Sequence, residues 1–365
     1  MDDYRKWLTS GDAKAFAIDN IKKSGIPLEL RSRKILKDNE FTVSEAHYLE
    51  PQNGNSDIDL FMGRGVWRQL DLLATRVEKQ TISLSGCELR FTTEILGECK
   101  YSSDKDIITF EHSNPENVDL SNFPVMVNGQ SIIFVPSKTG IKLPPLVERL
   151  IMIDASSASR EKDNFRDIEV HRACEQILSA LRYNLYQWRS VLRRQYLDIS
   201  KGSRIEEKWQ DLIKEQKVPY EQVVGGMRVP ASFIEKFLSD NFDPVKMLQD
   251  FPLLVIRVCF PVIVTDGSRG IIQAKLNDSF EVIDLEDKGL CLYTYVSENA
   301  DRYESVLGNA FALPIIVCNL SNLPAAIKLI GENVNCVIDQ TRLLVNANPQ
   351  LIPREVLFNL KVVGL

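Results

Sequence analysis

The sequence predicts an α/β (α+β) protein with a mixed sheet flanked by helices. Apolar residues recur with helical spacing near residues 11–38 and again over a long stretch at about 166–198. Between these stretches, and after residue 251, short apolar or alternating runs end at turn residues, which is typical of strands. Helical and extended segments therefore both occur in each half of the chain, which favours helices packed on a sheet.

The N-terminal part predicts two helices followed by strands. Apolar side chains in residues 11–23 follow a helical spacing, and Gly25 supplies a stop. Pro27 suits the first turn of a second helix at 27–38, because the N–H that proline lacks has no helical partner there. Strands are predicted at 41–48, 57–62, 82–84, 89–100 and 131–136. The pattern of residues 71–79 is ambiguous.

The C-terminal part predicts helices around a second group of strands. The long helix at about 166–198 is followed by another at 205–216, and a short helix is predicted at 323–330. Strands are predicted at 253–264, 271–276, 280–283, 290–296 and 311–318. The first of these is strongly apolar, which indicates a strand buried on both faces.

The chain of 365 residues is long enough for one large domain or two ordinary ones. The pattern becomes irregular at about 137–165, where a boundary would fall. We therefore expect a core at residues 1–145. A large helical and β-rich region at 146–365 would complete its sheet or form a second domain.

The composition is that of a globular protein with a sizeable core. Hydrophobic residues make up 44% of the chain and charged residues 26%. The net charge of −6 argues mildly against tight non-specific binding to DNA, since nucleic-acid binders usually carry a basic surface. A protein that concentrates its acids at one site and carries local basic stripes could still bind nucleic acid.

Cysteine usage and hydropathy predict a cytoplasmic protein that does not enter a membrane. The seven cysteines are scattered singly and form no C-x-x-C pair, which favours reduced thiols over a disulfide framework or a zinc site. Residues 1–7 lack the apolar core of a secretion signal, and no apolar run approaches the ~20 residues that span a bilayer.

The most informative motif is Glu98-Cys-Lys100 at the end of a predicted apolar strand. Residues two apart on a strand point to the same face, so the acid and the lysine should lie side by side. Charges on an apolar strand are costly unless they have a task such as holding a metal ion. Glu-x-Lys occurs four times in the chain, and only this copy has an apolar lead-in and a preceding acidic strand.

A second acidic segment, Ser56-Asp-Ile-Asp59, lies upstream of this motif. Asp59 and Glu98 would supply the carboxylate oxygens that Mg²⁺ or Mn²⁺ prefers, with the carbonyl of Cys99 as a further ligand. Lys100 would orient or deprotonate a water, or stabilise negative charge on a phosphate. Asp57 lies on the same face as Asp59, so the choice between them stays open.

These segments resemble the restriction-endonuclease-like superfamily of PD-(D/E)xK nucleases. The resemblance is carried by Gly25-Ile-Pro-Leu-Glu29, by the acidic Ser56–Leu60 segment and by Gly97-Glu98-Cys-Lys100, and it covers roughly residues 10–105. It implies a restriction-endonuclease-like mixed sheet, with Asp59 and Glu98 binding the metal and Lys100 as the catalytic lysine. Glu29 would be the helix acid near the metal.

The resemblance implies a Mg²⁺-dependent endonuclease that hydrolyses phosphodiester bonds in DNA, in bacterial restriction, repair or anti-phage defence. DNA is then the foremost partner, and a second copy of the chain or a protein of a defence system stays open as another. Two alternatives remain. A nucleotidyltransferase would use the Ser56-Asp-Ile-Asp motif, and a non-catalytic subunit would use a nuclease-like fold to hold a partner protein.

The long predicted helix carries a stripe of arginines, Arg182, Arg189 and Arg193, and Arg194 follows it. Aromatic residues are interleaved with them, among them Tyr183 and Trp188. Arginine on phosphate and aromatic rings on bases would make this stripe a nucleic-acid face. The plainer interpretation is a solvated helix flank whose aromatic side chains pack in the core.

Overall fold

The structure is a computed structural model, and every structural statement below concerns the residues that it describes. These are residues 11–23, 25–50, 65–84, 87–100, 105–111, 123–127, 130–134, 144, 146–154, 170–184, 222–224, 227–229, 253–266, 271–276, 281–297 and 312–347.

The described helices and strands are numbered in chain order. The helices are α1 (Gly11–Lys23), α2 (Ile26–Asp38), α3 (170–184) and α4 (Leu323–Ala347). The strands before α3 are β1 (Thr42–Glu50), β2 (Val66–Leu84), β3 (Cys87–Lys100), β4 (Lys105–Glu111), β5 (Phe123–Val127), β6 (Gln130–Phe134) and β7 (Leu146–Asp154). The strands after α3 are β8 (Gln222–Val224), β9 (Met227–Val229), β10 (Leu253–Thr265), β11 (Ile271–Leu276), β12 (Val282–Asp287), β13 (Leu290–Val296) and β14 (Ala312–Asn319).

The strands form one large mixed sheet, which confirms the predicted mixture of helix and sheet. The 12-stranded sheet has the order β1-β2-β3-β10-β14-β13-β7-β4-β11-β12, with β5 paired to β10 and β6 paired to β5. The first three strands are antiparallel to one another, whereas β10 runs parallel to both β3 and β14. Within the described part of the chain, the short strands β8 and β9 form a separate two-stranded sheet.

Helices cover both faces of the sheet centre, so the architecture has three layers. On one face, α2 and α4 pack on a core that includes Phe91, Phe260 and Val262. On the other face, α3 packs on a core that includes Leu96 and Ile263. Adjacent residues of β10 alternate between the two cores, as expected of a parallel strand buried on both faces.

Several predicted elements are confirmed and others change in extent. Helices α1 and α2, strands β11 and β13, and the apolar strand β10 lie where periodicity placed them. The ambiguous residues 71–79 lie inside the long strand β2. The short helix predicted at 323–330 extends to Ala347. The strand predicted at 57–62 and the helix predicted at 205–216 lie outside the described residues.

Strands from both sides of residue 145 share the large sheet. Strand β3 belongs to the N-terminal region, and its neighbour β10 pairs with it over the whole length of β10, from Leu253 to Thr265. Strand β14 continues the sheet on the far side of β10. Among the described helices, none combines the length and the hydropathy that crossing a membrane requires.

Candidate active site

Glu98 and Lys100 lie side by side at the end of β3. The Lys100 ammonium Nζ is 2.9 Å from Oε2 of Glu98. The Glu98 side chain is only 2% exposed and that of Lys100 is 20% exposed. The two residues of the motif therefore lie on the same face of the strand, as their two-residue spacing predicts.

The surroundings of Glu98 make its ionised form costly. Burial raises the pKa of Glu98 to about 7; the charge of Lys100 lowers it, and the charge of Asp71 raises it further. Its second carboxylate oxygen, Oε1, is buried and has no hydrogen-bond partner. A buried carboxylate oxygen without a partner costs free energy, so Oε1 is a ready acceptor for a bound cation or water.

A β-bulge in β2 positions a carboxylate beside Glu98. Between the pairs Ser44–Leu73 and Ala46–Leu70, strand β2 advances by three residues while β1 advances by two. The extra residue of β2 falls next to Asp71. Bulges of this kind redirect a side chain and are frequent next to active sites.

Asp71 completes an acidic group with Glu98. Its Oδ2 accepts a 2.8 Å hydrogen bond from the backbone N–H of Cys99, the residue that separates Glu98 from Lys100. Its charge also raises the pKa of Glu98 and that of Glu29. Asp71 is thus an acid on the neighbouring strand that contacts the backbone of the Glu98-Cys99-Lys100 segment.

Glu29 lies on the first turn of α2, paired with an arginine that also contacts the site. Oε1 of Glu29 is 2.6 Å from the Arg33 guanidinium. The same guanidinium donates to the backbone carbonyl of Asp71 at 3.1 Å through Nη2. Burial raises the pKa of Glu29, while Arg33 lowers it. Arg33 therefore ties the predicted helix acid to the bulge that carries Asp71.

Cys99 faces α2 rather than the acidic group. Its side chain is 6% exposed, and its Sγ lies 3.7 Å from Oγ of Ser32. Burial raises the pKa of its thiol well above the ordinary value, so the thiol stays protonated. A Cβ added at Gly25 would lie 4.0 Å from the Cys99 carbonyl oxygen, so the start of α2 approaches that carbonyl. Metal ligation by this carbonyl stays a prediction.

A cleft of about 650 Å³ opens beside Lys100 and runs along α3. Its lining includes Arg68, Lys100, Arg172, Gln176 and Ser179. The Lys100 ammonium donates to Oε1 of Gln176 at 3.3 Å, so the lysine lies between the buried Glu98 and the helix. The cleft therefore reaches Lys100, whose ammonium group binds the buried Glu98 carboxylate.

A hydrogen-bond network holds one wall of this cleft in place. Oε1 of Glu175 accepts a 2.7 Å hydrogen bond from the Tyr295 hydroxyl and a 2.6 Å hydrogen bond from the Ser297 hydroxyl. The Tyr295 hydroxyl also lies 3.1 Å from Nδ1 of His171. Burial, followed by the contact with Glu175, raises the pKa of Tyr295. These contacts join α3 to β13.

Several predicted site residues cannot be compared with the geometry. Asp57 and Asp59, with the whole Ser56-Asp-Ile-Asp motif, lie outside the described residues, as do the three arginines Arg189, Arg193 and Arg194. Arg182 is described and is only 5% exposed. This burial argues against the predicted phosphate contact of Arg182, because its guanidinium does not face solvent.

Sequence reasoning missed Asp71, Gln176 and Arg172. A signal for Asp71 was present, since one acid interrupts the apolar run Leu70-Asp-Leu-Leu-Ala74, as Glu98 interrupts β3. No comparable signal marks Gln176 or Arg172. Both lie on α3, and only the packing of that helix on the sheet brings them to Lys100.

The described residues contain no cluster of three or more His, Cys, Asp or Glu side chains arranged to hold a metal ion. Mg²⁺ does not demand such a cluster, since it is commonly held by one or two carboxylates and keeps several waters. Asp71 and Glu98 meet that smaller requirement, and the unpartnered Oε1 of Glu98 is the acceptor such an ion would use.

Comparison with protein-family models, with curated proteins and with solved structures gives no match. Inference about function therefore rests on the chemistry of the site.

Proposed function

We propose that this chain is a metal-dependent nuclease whose active site consists of Asp71, Glu98 and Lys100. The observation that carries the proposal is the buried Glu98 carboxylate: Lys100 binds its Oε2, its Oε1 has no hydrogen-bond partner, and the charge of Asp71 acts on it. A buried carboxylate with a raised pKa, a second acid that acts on it, and an ammonium group that lines a cleft are typical of a site for chemistry rather than stability.

Asp71 and Glu98 would hold Mg²⁺ or Mn²⁺. When bound, the ion would polarise a phosphate oxygen and lower the pKa of a coordinated water. The acid assigned to this role is Asp71 rather than Asp59, because the bulge of β2 brings Asp71 to the N–H of Cys99. Glu29 would act from a distance, through Arg33 and the Asp71 carbonyl.

Lys100 would bind the scissile phosphate or orient the attacking water. Its ammonium group donates to Glu98 and to Gln176, which places a positive charge where the cleft meets the acids. Positive charge at that point stabilises the negative charge that develops on the phosphate during hydrolysis. With this arrangement the fold would belong to the restriction-endonuclease-like class, and DNA is the foremost substrate.

The test is an assay of the purified chain on plasmid, linear DNA, single-stranded DNA and RNA, with Mg²⁺, Mn²⁺ or EDTA. We expect cleavage with metal and none with EDTA. Asp71→Asn, Glu98→Gln and Lys100→Ala should each lower the rate by about 100-fold or more, because each removes a metal ligand or a charged catalytic group.

The chain offers a matched control for this experiment. Glu286 and Lys288 repeat the Glu-x-Lys spacing and form a 2.7 Å ion pair, but both are partly exposed near the sheet edge. The double variant Glu286→Gln/Lys288→Ala should cleave like the wild type. Full activity of Asp71→Asn together with loss of activity in Asp59→Asn would overturn the assignment of Asp71. Absence of metal-dependent cleavage on every substrate would favour a non-catalytic subunit.

A further inference from the structure

The face of α3 that lines the cleft continues along the helix beyond Gln176, the residue that Lys100 contacts. Arg172, Gln176, Ser179 and Tyr183 follow one another at helical spacing and therefore share a face. At a rise of ~1.5 Å per residue, this face extends for roughly 16 Å, from the cleft-lining residues Arg172, Gln176 and Ser179 to Tyr183 beyond them. Lys100 contacts it near the middle, through Gln176.

The Tyr183 end of this face carries an exposed aromatic ring. Trp67, at the start of β2, is 59% exposed. Its ring centroid lies 5.8 Å from that of Tyr183 in an edge-to-face arrangement, which fixes the indole while leaving much of its surface open. A held but exposed indole is suited to stacking on a planar ligand.

The opposite end of the face carries a cation. Arg172 is exposed, and it forms no hydrogen bond or ion pair with another residue in the described parts of the chain. Arg68, the residue after Trp67, also lines the cleft and is ion-paired with Glu50 at 3.0 Å. The other acid of the cleft, Glu175, accepts hydrogen bonds from Tyr295 and Ser297. Arg172 is thus the cation that is available to an incoming anion.

We propose that this cleft is a binding track for single-stranded nucleic acid, in which Arg172 and Arg68 contact phosphates and Trp67 stacks on a base. The proposal rests on the proposed nuclease function and specifies the form of its substrate. In a duplex each base face is already stacked on its neighbours, so only an unpaired base can lie on Trp67. Glu98 at 2% exposure is also deep in the structure, so a phosphate must enter the cleft to reach it.

Binding is measured first, in EDTA, so that cleavage plays no part. Fluorescein-labelled 12-mers of deoxythymidine and of uridine and a 12-base-pair DNA duplex are titrated with the full chain by fluorescence anisotropy. We expect both single strands to bind more tightly than the duplex. Trp67→Ala should weaken single-strand binding about tenfold, whereas Trp67→Phe keeps an aromatic face and should retain most of it.

Arg172→Ala should change the salt dependence of binding. On a single strand, the slope of log K against log[salt] becomes shallower by about 0.7 for each phosphate that the protein no longer neutralises. Two matched controls lie away from the cleft: Phe16→Ala removes an exposed aromatic ring of α1, and Lys328→Ala removes an exposed cation of α4 on the other face of the sheet. Both controls should bind like the wild type.

A comparison of binding with cleavage separates the two proposals. Single-strand binding that depends on Trp67 and Arg172, without cleavage of any substrate, would support the track and contradict the nuclease. Metal-dependent cleavage with equal or tighter duplex binding, unaffected by Trp67→Ala, would overturn the track and leave the nuclease standing. A preference for the deoxythymidine or the uridine strand would identify which nucleic acid the track takes.

Discussion

Three influences act on the ionisation of Glu98, and one of them opposes the other two. Burial disfavours its charge, Asp71 adds to that effect through like-charge repulsion, and Lys100 at 2.9 Å opposes both. The result is a pKa of about 7, so near neutral pH the carboxyl group is divided between two protonation states. A group in that range responds strongly to pH and to an added cation.

The raised pKa of Glu98 predicts a pH-dependent gain in stability for Glu98→Gln. The folded-state pKa of about 7 lies above the ordinary value of 4.5, so the folded chain binds the proton more tightly and loses stability as pH rises between these values. The glutamine variant lacks this loss. Its free energy of unfolding in EDTA should exceed that of the wild type by up to ~3 kcal/mol at pH 8 and by much less at pH 5.

Urea denaturation at the two pH values measures this difference. Glu286→Gln is the control, because hydrogen bonds to Lys288 and then Lys275 hold the pKa of Glu286 below its ordinary value. The effect on stability should have the opposite sign. Ionised Glu286 stabilises the folded chain above its unfolded-state pKa, so Glu286→Gln should lower the free energy of unfolding. An advantage of Glu98→Gln that is the same at pH 5 and pH 8 would contradict the raised pKa.

At the scale of single elements, β3 carries the site because it is held closely on both sides. Its pairing with β2 reaches Gly97 opposite Leu72, next to the bulge that allows the Asp71 carboxylate to reach the N–H of Cys99. On its other edge it pairs in parallel with β10 through Gly97, opposite Val262. The position of Glu98 thus depends on a bulge in one neighbouring strand and on a close backbone approach by the other.

Two glycine substitutions should change stability in opposite directions. A Cβ at Gly97 would lie 2.8 Å from the backbone carbonyl oxygen of Val262, so Gly97→Ala must push β3 and β10 apart. We expect a loss of about 1–3 kcal/mol in the free energy of unfolding, together with a fall in the proposed nuclease activity.

In Gly331→Ala the new methyl group would meet the Arg76 guanidinium at an ordinary 3.5 Å inside helix α4. Its stability should rise by up to ~1 kcal/mol, since alanine is the better helix former. Thermal and urea unfolding measure both variants. A Gly97→Ala chain as stable and active as the wild type would show that the two strands can separate without cost.

At the scale of the whole molecule, the two ends of the chain share one core. Strand β10 lies between β3 and β14, and α4 packs on the same core as α2. The site therefore lies at the carboxyl end of β3, within a sheet whose centre is built from residues far apart in sequence. Pairing of this kind forms only after long loops have closed, so the folding of the site depends on the C-terminal half.

We predict that a chain truncated to residues 1–145 does not fold cooperatively. Without β10, strand β3 would expose an unpaired edge from Glu88 to Lys100, and one face of Phe91 and Ile95 would lose its cover from α4. Circular dichroism with thermal melting should show no cooperative transition, and limited proteolysis should degrade the fragment rapidly. A sharp melt of the fragment would instead support an independent N-terminal domain.

Local patterns in the sequence determined many of the elements and the motif. Helical spacing located α1 and α2, apolar runs located β10 and β13, and the two-residue spacing of Glu98 and Lys100 placed both on one face. These features depend on the periods of helix and strand, which each stretch of chain carries by itself.

Only the tertiary structure decided which groups meet the motif. Asp71 joins Glu98 because a bulge in β2 turns it towards Cys99, and Gln176 reaches Lys100 because α3 packs across the sheet. The insertion of β10 beside β3 is likewise a pairing between distant segments. Such contacts depend on register and packing between elements, which no local period encodes.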